Sequence, residues 1–67
     1  MPTTHYEITI RGRLSAALAD GFDGLTASPA GPDTVLRGEL VDQAALYGVL
    51  DRVESLGLEL LDVSRHP

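Results

Sequence analysis

The chain contains no cysteine, lysine, asparagine or tryptophan among its 67 residues. Without cysteine there is no disulfide, no thiol nucleophile and no thiolate metal site. With five arginines against ten acids, the formal charge is −5. A nucleic-acid binder presents a basic stripe that neutralises phosphates, and an anionic membrane surface attracts the same kind of patch. Five scattered arginines make no such stripe, so neither nucleic acid nor membrane is expected as a partner. No apolar run approaches the roughly 20 residues that span a bilayer. The polar start, Met1 to Tyr6, does not read as a signal peptide, and the expected location is the cytoplasm. The two histidines and ten acids form no metal-ligand run. No metal or other cofactor is expected.

What remains is a chain sized for one domain, residues 1–67, with 1–5 read as a loose N-terminal tail. A chain this short buries only about 60% of the surface it would expose unfolded. Small chains offset that deficit with disulfides, a metal, very good packing or a partner. Disulfides being excluded, self-association is the expected route, and a homodimer the expected state.

Periodicity divides the chain into six elements. HYEITIR, residues 5–11, alternates Tyr6, Ile8 and Ile10 with polar neighbours, as a half-buried strand does. LSAALADGF follows, with Ser15 as N-cap and Leu14, Leu18 and Phe22 as one apolar stripe. LTAS, residues 25–28, is a short second strand, and PAGPD after it reads as a loop without a ladder. TVLRGELV, residues 34–41, is the third strand, with Gly38 inward to admit a helix. Asp42 caps DQAALYGVLDRVESLG, whose Leu46, Val49, Leu50, Val53 and Leu56 share a helical face and whose Gly57 is the stop. Gly48 within it would permit packing against the first helix. LELLDVSR, residues 58–65, is the last strand, with Leu61 and Val63 placed inward and Leu60 outward.

Strand, helix, strand, strand, helix, strand predicts an α+β fold, the two-layer ferredoxin-like βαββαβ sandwich. Its four-stranded antiparallel sheet carries both helices on one face. The first and third strands are central, and the fourth flanks the first. The two central strands are expected to run parallel, setting Glu7 and Arg11 beside Arg37 and Glu39. The uncovered face would present Glu7, Thr9, Arg11, Thr26, Ser28, Val35, Arg37, Glu39, Leu60, Asp62 and Ser64. Glu7, Thr9, Arg11, Val35, Arg37, Glu39 and Leu60 are the expected dimer face, with Val35 and Leu60 at its apolar centre. Alternating signs of charge suit a patch that must match itself.

Two places offer chemistry. Pro2, ahead of an alternating strand and Gly12-Arg13, resembles the start of the tautomerases related to 4-oxalocrotonate tautomerase. That resemblance implies a prolyl general base, with Arg11 and Arg13 holding a carboxylate. Here Thr3, Thr4 and His5 separate the proline from its strand, and a solvated amine keeps its ordinary basicity. The segment Arg11, Gly12, Arg13, Leu14 and Ser15 joins a strand to a helix start, so Arg11, Gly12, Arg13 and Ser15 are candidate anion ligands. Acylphosphatases share the fold and hold phosphate in that loop, but their catalytic asparagine has no counterpart here. No serine neighbours a histidine, and no catalytic residue is assigned. His5 and His66, at the start of the first strand and the end of the fourth, are expected to approach one another.

YEITIRG, FDGLT and TVLRGELVDQAALYGVLDRVESLGLELLDV together resemble a family of short uncharacterised bacterial proteins from GC-rich genomes. A composition rich in Ala, Leu, Gly, Asp and Arg agrees. The resemblance implies a small independent domain and no particular activity. Two functions are open at this point. One is a non-enzymatic interaction or regulatory module, similar in layout to ACT domains, that self-associates and contacts a protein or a small anionic ligand. The other is a very small enzyme or anion-binding protein working from Pro2 or the Arg11–Ser15 loop.

Overall fold

A computed structural model describes residues 3–66. Its elements are β1 (Thr4–Ile10), α1 (Ala16–Ala19), β2 (Leu25–Ala30), β3 (Asp33–Leu40), α2 (Gln43–Ser55) and β4 (Leu60–His66). The strands form one sheet in the order β2-β3-β1-β4. This is the expected α+β, two-layer sandwich, with β1 and β3 central and β4 beside β1. Strand β1 begins at Thr4, so Thr4 and His5 belong to the sheet and not to a loose tail. Pro2 lies outside the described residues.

Every strand pair is antiparallel, including the central β1–β3 pair. The expectation of parallel central strands is therefore corrected. The reason is a count of reversals. The α1 crossover returns the chain so that β2 runs with β1, and the hairpin then turns β3 against both.

That hairpin is tighter than the proline-rich sequence suggested. Strand β2 continues through Pro29 to Ala30, and only Gly31 and Pro32 separate it from β3. Proline is tolerated there because β2 is an edge strand with a neighbour on one side only. Gly31 has φ 62°, the left-handed region that a two-residue hairpin turn asks of glycine.

The core lies on the helix side of the sheet. Tyr6, Ile8 and Ile10 of β1 meet Leu36 and Leu40 of β3, Leu46 and Val53 of α2, and Phe22. Ile8, Ile10 and Leu36 are fully buried. Helix α2 holds its face down with a cap at each end. The Asp42 carboxylate accepts the Ala45 amide at 2.8 Å. At the other end Leu58 N–H donates to Val53 and Gly57 N–H to Glu54, with Gly57 at φ 74°. These two bonds form a Schellman motif, and Leu58 packs against the core.

Helix α1 is a single turn with no buried residue. Ser15 caps it, accepting Leu18 N–H at 3.2 Å. Leu14 and Phe22 reach the core, but Leu18, expected on the same stripe, is exposed. One turn is too short to bring all three to one face. With so little helix above it, the inward Gly38 meets something else. A Cβ there would run into the Gly24 carbonyl oxygen and the Leu25 side chain, so backbone of the α1–β2 connection approaches Gly38, not a helix. Gly48 is exposed with nothing near its missing Cβ, and makes no contact with α1.

Candidate functional site

Three regions carry the residues that the sequence singled out: the open sheet face, the loop after β1, and the β4 margin. On the open face the register sets Glu7 opposite Arg37 and Ser64, His5 opposite Glu39 and His66, and Thr9 opposite Val35 and Asp62. The Glu7 Oε2 oxygen gathers the surrounding donors. Arg37 Nε lies 3.3 Å away, His66 Nε2 3.7 Å and His5 Nε2 4.0 Å. The His5 and His66 rings sit 6.0 Å apart, tilted by 57°, because the antiparallel β1–β4 pair makes them direct partners. Among the described residues no group of three or more histidines and carboxylates is set to hold a metal ion.

Only half of the expected charge pairing on this face forms. Glu7 meets Arg37, but Arg11 does not reach Glu39. Arg11 lies past the end of β1, and its Nε is 3.6 Å from Glu59. Antiparallel pairing puts His5 opposite Glu39 instead. Val35, expected as an exposed apolar centre, is on this face but only 8% exposed. Its cross-strand partners Thr9 and Ser28 flank it on both sides. The face is thus chiefly polar, with Glu7 already engaged by Arg37.

The loop after β1 is tied inward. Gly12, at φ 84°, donates its amide to Asp33 Oδ1 at 2.9 Å. Thr34 Oγ1 donates to the Gly12 carbonyl at 2.8 Å and accepts Leu14 N–H at 3.2 Å. Arg13 Nε donates to the Gly31 carbonyl at 3.0 Å. Ser15 is occupied by its cap bond, and Arg11 by Glu59. Each group read as an anion ligand therefore has a partner within the chain. The position an external anion would take beside Gly12 is held by the chain's own carboxylate, whose charge opposes a second anion. Asp33 and Thr34 were not picked out from sequence. Their one signal is an acid and a hydroxyl directly after a Gly-Pro turn, at the head of a strand.

The β4 margin departs most from expectation. A bulge falls between Thr9 and Ile10, where the β4 partner shifts from Asp62 to Leu60. Leu61 is the extra residue, and it exchanges the expected phases. Leu60 stands opposite the buried Ile10, while Leu61 lines a shallow depression with Arg11, Gly12, Pro32 and Asp33. Val63 faces inward opposite Ile8, as expected. Yet all three remain part-exposed. Leu60 is 41% exposed, Leu61 42% and Val63 36%, and Leu56 at the end of α2 is 38% exposed. Helix α2 approaches both β3 and β4. Its buried Leu46 and Val53 join the core of β1 and β3, and the β4 side chains stay part-exposed at its margin.

A family profile described as a domain of unknown function, DUF8691, matches residues 5–64. The chain belongs to the DUF8691 family. The matched span begins with β1 and ends within β4, so it takes in every element of the sandwich. No curated protein and no solved structure matches the chain. No helix among the described residues is long and apolar enough to cross a membrane.

Proposed function

We propose that this chain is a small non-enzymatic module that acts by association, first with a second copy of itself, through the surfaces its helices leave uncovered. These are the open face of the sheet and, on the helix face, the margin along β4. The observation that carries the proposal is the row of apolar side chains exposed there, beside a core of only eight buried residues. A domain this size gains little from its own interior, and covering such a row in a dimer adds to it. The inward-tied Arg11–Ser15 loop favours this reading over an enzyme that grips an anion. The net charge of −5 favours a protein partner over nucleic acid or an anionic membrane. A composition without cysteine or lysine fits a protein of the bacterial cytoplasm. Sedimentation equilibrium on the whole chain tests the proposal. A mass of two chains that falls on dilution is expected, and a single-chain mass at every concentration overturns it.

A further inference from the structure

We propose that the second copy pairs with the first along the outer edge of β4, antiparallel, so that two four-stranded sheets join into one. This rests on the self-association reading above and names its seam. Strand β4 ends the sheet, so one of its sides has no strand neighbour. Such an edge is a template for another strand, and proteins that remain single blunt it with proline, lysine, an inward-pointing charge or a bulge. The β2 edge carries Pro29. Strand β4, LLDVSRH, has neither proline nor lysine; its bulge at Leu61 falls near its start and leaves Asp62–His66 in regular register, and six of its seven residues are exposed. The exposed apolar residues Leu60, Leu61 and Val63 lie on it, with Leu56 close by in sequence at the end of α2.

Charge identifies the occupant as a second copy. Of the charges along this edge, Glu59 already lies beside Arg11 and His66 beside Glu7, which leaves Asp62 toward its start and Arg65 toward its end. An antiparallel copy sets each acidic start against a basic end, twice, about one two-fold axis. A parallel copy would stack like on like. Self-matching of this kind is what an isologous contact requires. The open face has no comparable apolar content, since Val35 is already buried by its strand neighbours.

Sedimentation equilibrium on four full-length variants tests the seam, with far-UV circular dichroism as the check on folding. In Leu61→Lys/Val63→Lys the edge gains the charge that other edges use. The dimer is expected to be lost while the spectrum is retained. Glu39→Arg, on the open face of β3 and opposite His5, is expected to leave the dimer intact. Asp62→Arg is expected to weaken the dimer by about tenfold or more, through like charges brought together. Adding Arg65→Asp to it restores the acid-to-base match and is expected to recover the dimer. This charge pair decides the matter if the double lysine variant fails to fold. A dimer that survives the β4 changes but dissolves with Glu39→Arg overturns the seam and leaves self-association standing. A wild-type chain that is single at all concentrations removes both.

Discussion

The two edges of the sheet are finished in different ways. On the β2 side the covering helix is one turn long, and other devices close the structure. Pro29 blunts the edge, Gly38 admits the backbone of Gly24, and Asp33 and Thr34 bind the loop after β1. On the β4 side the helix has 13 residues and both caps, yet the strand beside it keeps three exposed apolar side chains. A long, well-capped helix does not by itself cover a sheet. Coverage depends on where the apolar stripe lands: the buried Leu46 and Val53 join the core of β1 and β3, and the β4 side chains stay only part-covered. The difference separates what holds this monomer together from what remains for another chain.

Substitutions can break or sharpen that contrast. The largest effect is expected at Gly38→Ala, whose Cβ would strike backbone that has little room to move. Overpacking of this kind costs about 3 kcal/mol, and urea denaturation should show the loss. Thr34→Val keeps the shape but removes the donor to Gly12 and the acceptor for Leu14. Its expected cost in the same measurement is about 2 kcal/mol, because a partly buried amide and carbonyl lose their partner. On the other side, Asp42→Ala removes the α2 cap and should lower the thermal midpoint through a loss of about 1 kcal/mol. Gly48→Ala should act in the opposite sense. The position is an exposed helix interior with nothing near the added methyl, and the chain should gain up to about 1 kcal/mol. The smallest change is expected for Leu61→Lys. In dilute solution the stability of the single chain should move by no more than about 0.5 kcal/mol, since the side chain is substantially exposed and lies outside the core cluster. If Leu61→Lys instead unfolds the monomer, the β4 margin is part of the core and the contrast between the edges fails.

Sequence signals announce the local features of this fold and miss the ones that depend on distant residues. Helix α2 is legible because its start, its stripe and its stop are all contiguous: Asp42, then Leu46 to Val53, then Gly57. Strands β1 and β3 are legible from period-two alternation, and the strand order follows from connectivity. Strand β2 is half hidden, because Pro29 breaks a ladder everywhere except at an edge, and edge position is a property of the whole sheet. The Gly12–Asp33 and Gly12–Thr34 bonds join residues 21 and 22 positions apart, brought together only when β3 has docked on β1. The loop that looks ready for an anion is in fact closed by a carboxylate that no local pattern reveals. The β4 bulge is hidden for the same reason. LELLDV supports either phase, and the choice is made by pairing with β1.

Amide hydrogen exchange measured residue by residue, at several protein concentrations, tests the seam most directly. Edge pairing predicts that β4 amides in Leu60–His66 exchange more slowly as concentration rises, while those of the β2 edge keep one rate. Concentration-independent exchange along β4, or added protection that appears on β2 instead, would contradict it.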